Sequence, residues 1–144
     1  MSVKKLCLKI ITPAQVKVEE FVDMVIMRCI DGDMGILPGH DALSTALDLG
    51  ILRIINDGNE RKIAVYGGLA AVRDNILIIL THDAEWPGDI DRARAEVDRE
   101  NAERRLQERT DDIEIQHDQI LLRRALVQIE VSSYTYDDDS ESVD

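Results

Sequence analysis

The stretch "ILIILTHDAEWPGDIDRARAEVDREN", residues 76–101, changes its period in the middle. Before Pro87-Gly88 the apolar residues come in short β-branched runs. After it, through Asp111, glycine and proline disappear and charge takes over. Thirteen of the twenty-two residues from Ile90 to Asp111 are charged, which no buried strand tolerates. The chain therefore divides at Pro87-Gly88 into a β part and a helical part.

Upstream of the break the runs are short and separated by turn signals. "LCLKI" alternates Leu6, Leu8 and Ile10. "VDMVIMRCI" has apolar residues on both parities, so both of its faces are partly covered. "ILRII" runs into Asn56-Asp57-Gly58-Asn59, a hairpin signal. "KIAVY" ends at Gly67-Gly68, and "LAAVR" and "ILIIL" flank Asp74-Asn75. This spacing predicts an antiparallel sandwich or barrel. "GDMGILPGHD", residues 32–41, reads as a turn despite Met34, Ile36 and Leu37.

Downstream, Asp89 is the expected N-cap of a first helix. Its apolar residues are small and form two thin rows, Ile90, Ala93, Val97 and Ala95, Ala102, Leu106, so a second helix can approach closely. That second helix is expected from about Ile113 to Val131. Leu122, Ala125, Leu126 and Ile129 recur on one face, and Asp111 to Glu114 resembles a capping box. The prediction is an αα-hairpin. A hairpin this poor in core either leans permanently on the sandwich or docks weakly and can leave it.

The chain has 144 residues and a net charge of -12, which argues against nucleic acid and anionic lipid as direct partners. "DDDSESVD" at the end reads as a solvated acidic tail. No window is long and apolar enough to span a membrane, and "MSVKKLCLKI" does not read as a signal peptide. Cys7 and Cys29 read as buried free thiols, with a disulfide as the alternative. No Cys/His spacing suggests zinc. No nucleophile elbow or P-loop occurs, and adjacent residues such as His40 and Asp41 usually point apart in a turn. Catalysis by this chain alone is not expected. Asp91 also reads as a first-turn acid, and Arg94 as a surface partner of Asp98.

"GDMGILPGH" at 32–40, "YGGL" at 66–69, "HDAE" at 82–85 and "IDRARA" at 90–95 stand in an order and spacing that resemble the epsilon subunit of bacterial F-type ATP synthases, the counterpart of mitochondrial delta. The resemblance runs from about Leu6 to Val131. It implies a ten-stranded antiparallel β-sandwich over residues 1–87, a regulatory two-helix hairpin over 88–134 and a disordered tail over 135–144. It implies a non-catalytic rotor subunit, peripheral on the cytoplasmic face of the bacterial membrane and not inserted in it. Its partners would be the gamma subunit, the c-ring and the alpha and beta subunits. Asp33 and His40 match positions near the c-ring. Arg99, Arg104, Arg105, Arg109, Arg123 and Arg124 are the cations available to meet an acidic segment of beta when the hairpin extends and inhibits hydrolysis.

No cofactor is required, but some members bind regulatory ATP through I-D-x-x-R-A. That motif falls here on Ile90, Asp91, Arg94 and Ala95, with Glu85 and Arg124 matching further positions. Asn101 and Gln128 stand where strong binders carry arginines, so modest affinity is expected. A free-standing ATP-sensing module is the alternative. An exposed apolar patch on the sandwich, fit for gamma, would separate the two.

Overall fold

The computed structural model describes residues 5–108 and 111–134. Eight strands precede the hairpin: β1 Leu6–Ile11, β2 Val16–Val22, β3 Met24–Cys29, β4 Gly32–Ile36, β5 Leu43–Asn56, β6 Asn59–Arg73, β7 Ile76–Leu80 and β8 Ala84–Glu85. A 3-10 turn, Pro87–Asp89, leads to α1, Arg92–Glu108, and α2, Asp112–Ser133.

The strands form one continuous sheet in the order β2-β1-β7-β6-β5-β3-β4, with β8 added to β6. It closes into two layers because β5 and β6 are long enough to run through both. Residues 69–73 of β6 pair with β7 on one side and with residues 43–46 of β5 on the other, and Leu47 of β5 already pairs with Cys29 of β3. The other halves of β5 and β6 lie with β3, β4 and β8. The β5–β6 ladder is interrupted between Leu47–Gly68 and Leu49–Tyr66, opposite Asp48. Gly67 and Gly68 there have φ of +78° and +123°, and a Cβ on Gly68 would stand 2.1 Å from the Leu80 carbonyl oxygen. Glycine is required for that crossing.

Three expectations for the β part are corrected. There are eight strands among the described residues, not ten, because each crossing strand is continuous; cutting both at the break would restore the larger number. The sandwich is also not wholly antiparallel. β1 and β7 run parallel, since the first strand closes the layer beside the last long one. "GDMGILPGHD" is not all turn either. Its first half is β4, paired with β3, and only Leu37 to His40 turns back.

Leu6, Leu8, Ile10, Val25, Ile36, Leu52, Ile54, Ile63, Leu77 and Ile79 are all buried in one cluster between the layers. No residue of α1 or α2 belongs to it; Trp86 is the last side chain packed against it. The helices meet instead through Ala95, Ala102 and Ala125, three buried alanines that allow close approach. Of the two rows considered on α1 the structure selects Ala95, Ala102, Leu106 and leaves Ala93 and Val97 exposed. On α2, Leu126 is exposed rather than inward. Asp91, not Asp89, caps α1, accepting from the Arg94 amide at 3.1 Å. Asp111 caps α2 as expected, accepting from Ile113 at 2.9 Å.

Candidate functional site

Where β8 meets the hairpin, a cavity of about 330 Å³ opens between Glu85, Asp89, Asp91, Arg94, Ala95, Asp98, Arg124 and Gln128. A smaller lobe of about 160 Å³ continues from it between the helices, past Arg105 and Leu121. Five of the six residues matched to the nucleotide motif, Glu85, Asp91, Arg94, Ala95 and Arg124, thus line one trough. Ile90 does not line it; it is half-buried at the end of the 3-10 turn. Asn101 lies outside as well and accepts from Arg104 at 2.8 Å. Sequence reasoning missed Tyr66 as part of this site. Its hydroxyl donates to Glu85, and its ring lies 3.8 Å beneath the Arg124 guanidinium. Burial, together with Glu85, pushes the Tyr66 hydroxyl well above its ordinary range, so it stays protonated as a donor.

Acids outnumber arginines around the trough, but most are already engaged. Lys17 pairs with Asp89 at 2.7 Å and holds its carboxyl below the ordinary range. Asp91 caps α1. Glu85 accepts from Tyr66 and from Gln128 at 3.1 Å. Among the described residues the side chains of Arg94, Arg124 and Asp98 have no ion-pair partner, so the expected Arg94–Asp98 pair is not formed. Two guanidiniums are therefore available to an anion, and one carboxylate opposes it.

The other arginines are occupied. Arg99 pairs with Glu96 at 3.2 Å and Glu103 at 3.0 Å. Arg105 reaches Asp118, only 3% exposed between the helices, at 3.2 Å. Arg123 reaches Asp48 at 3.0 Å. Arg109 and the acidic tail lie outside the described residues. Asp33 pairs with Arg28 at 3.3 Å, and the Nδ1 of His40 lies 2.7 Å from the Asp41 carbonyl oxygen. Asp33 and His40 stand toward opposite ends of β4 and are not brought side by side.

A second feature is on the outer face of β2, β1, β7 and β6. Registered pairing sets Phe21 beside Cys7 and Ile76, and Ile11 beside Leu80 and Leu69. Phe21 is 64% exposed, Leu69 60% and Leu80 50%; Ile76 and Ile78 of β7 join the two apolar groups, while the Lys9–Glu19 ion pair lies between them on β1 and β2. Cys7 sits within this surface and is half-buried rather than fully buried; Cys29 is buried, and both are free thiols.

Residues 5–87 match the beta-sandwich domain of the ATP synthase delta/epsilon chain, and residues 89–133 match its long alpha-helix domain. The chain belongs to the ATP synthase delta/epsilon family. The ATP synthase epsilon chain of Caldicellulosiruptor saccharolyticus is 37% identical over 119 residues, covering 83% of this chain and 87% of that one. The epsilon chain of Bacillus licheniformis is 35% identical over 129 residues, covering 90% and 98%. A chain of the Euglena gracilis mitochondrial ATP synthase (OSCP/F1/c-ring) superposes with a TM-score of 0.79 at 23% identity, covering 93% of this chain and 84% of that chain. That likeness speaks for the fold. An epsilon chain is a non-catalytic subunit of the ATP synthase complex. No helix among the described residues is long and apolar enough to cross a membrane.

Proposed function

We propose that this chain is the central-stalk rotor subunit of a bacterial F-type ATP synthase and binds the gamma subunit through the outer face of β2, β1, β7 and β6. The observation that carries this reading is the exposed apolar surface around Phe21, Leu69 and Leu80. A solvated monomer has little reason to keep it, and gamma would cover it. Cys7 is a built-in reporter. Thiol alkylation should modify Cys7 in the isolated chain and spare it in the gamma complex, with buried Cys29 as internal control. Equal Cys7 modification in both states would remove this face from the interface.

The c-ring would meet the sandwich near Asp33 and His40, and the complex would sit on the cytoplasmic face of the membrane. The hairpin would restrain ATP hydrolysis by leaving the sandwich and entering the alpha/beta head. Its support is that the main core contains none of its residues, so it can depart without unfolding the sandwich. Deleting residues 111–144 should raise hydrolysis by the assembled enzyme; unchanged hydrolysis at full assembly would refute the restraint.

A second reading, regulatory ATP at the trough, is supported by Arg94 and Arg124 lining it without counter-ions among the described residues. They would take the phosphates. Asp98 would oppose them, and Gln128 is engaged with Glu85, so affinity is modest.

A further inference from the structure

The hairpin is held down by a row of polar contacts. Arg123, Arg124, Gln128 and Glu130 lie on one side of α2 and meet Asp48, Tyr66, Glu85 and Lys62 of the sandwich. The contact that differs from an ordinary surface ion pair is the one at Asp48. This residue sits at the break in the β5–β6 ladder, where the crossing strand leaves it without a ladder partner. Its Oδ1 accepts from the next amide, Leu49, at 2.8 Å, which fixes the carboxylate before any helix arrives. Its Oδ2 takes the Arg123 guanidinium at 3.0 Å, and the same guanidinium nitrogen lies 3.3 Å from the Leu49 carbonyl oxygen. Arg123 thus reads two acceptors that the sandwich presents in fixed geometry. A guanidinium suits such a site better than an ammonium would. Burial alone would raise the Asp48 carboxyl, yet Arg123 and the Leu49 amide outweigh it and hold it low.

We propose that Asp48 is the latch of the docked hairpin: through Arg123 it sets how often α2 leaves the sandwich, and it does so in a salt-dependent way. Docking by this pair does not depend on whether the hairpin inhibits hydrolysis. It does mean that Arg123 is unavailable to any acidic partner until it leaves Asp48.

Hydrogen exchange on the full chain tests this. Asp48→Asn keeps an oxygen acceptor for the Leu49 amide, removes the charge, and replaces the Oδ2 acceptor that meets Arg123 by an NH2 donor. It should speed exchange across α2 by up to about fivefold at low salt, the range of a half-exposed pair. Exchange in β1, β3 and β7 should not change, which reports an intact sandwich. Arg123→Gln should match it, and the double variant should be no faster than either single one. Rising salt should bring wild type toward Asp48→Asn. Wild-type α2 exchange in Asp48→Asn, additive effects in the double variant, or equal salt sensitivity of wild type and Asp48→Asn would each overturn the latch. Hydrolysis by the assembled enzyme, measured with the same variants, reads the inhibitory role separately.

Discussion

Replacing Arg94 by alanine should weaken ATP binding far more than replacing Arg99, although the two cations stand five residues apart on one helix. Arg94 lines the trough and has no counter-ion among the described residues. Arg99 is spent on Glu96 and Glu103 and lines neither lobe. A charge-assisted hydrogen bond contributes about 1.5–3 kcal/mol, roughly 10- to 150-fold in Kd. Arg94 is exposed, so solvent places the loss near the lower end, about tenfold. Arg99→Ala loses only half-buried pairs along its own helix, worth about 0.3–0.5 kcal/mol each, none of them to the ligand. Calorimetric titration of the full chain with millimolar ATP measures both. Equal losses would show that Arg94 only opens a helix, and no heat at all would dismiss the nucleotide reading. The magnitude also limits what ATP could regulate. Ligand at about 100 times its Kd stabilises the bound form by about 2.7 kcal/mol. Moving a population from 1:99 to 99:1 needs about 5.5 kcal/mol. Docked and extended hairpins must already lie close in energy for ATP to choose between them.

Residues 1–87 alone should fold cooperatively, because the core cluster includes no hairpin residue and Trp86 is retained; a broad, non-cooperative thermal transition would contradict this. Asp98→Asn should tighten ATP binding several-fold by removing the one carboxylate of the trough that lacks a partner among the described residues, and an unchanged Kd would show that it faces away from the phosphates. Gly68→Ala should destabilise the sandwich by about 2 kcal/mol or more in denaturant titration, since it joins a left-handed φ to a collision with backbone; a wild-type midpoint would mean the crossing can relax.

The hairpin was legible because charge density, alanine spacing and an Asp cap all act locally. Other elements were hidden for physical reasons. β2, "VKVEEFV", inverts the usual alternation: Glu20 lies half-buried between the inward Val18 and Val22 and is met by Arg61, while Phe21 faces out. β4 contains two glycines of its five residues and imitates a turn. β6 reads as two pieces, "KIAVY" and "LAAVR", because the break at Gly67-Gly68 is a fold-level crossing and not a chain reversal, and of β5 only "ILRII" reads as a strand. Asp89 looked like the cap, but Lys17, far away in sequence, claims its carboxylate. Glu85, Asp91, Arg94 and Arg124 were assigned by family resemblance. No spacing rule could have added Tyr66, which reaches them only when β6 and β8 pair.

The two crossing strands also bear on how the subunit transmits force. In a sandwich of two separate sheets, sliding one layer over the other is resisted only by side-chain interdigitation. Here β5 and β6 belong to both layers and are paired with each other on either side of the crossing. Relative sliding must therefore strain covalent backbone and shear a registered ladder. In the proposed rotor role, driven at one end and gripping gamma on a face, the subunit would gain stiffness from that continuity. Compliance is displaced to the alanine-lined hairpin, which shares no strand with the body.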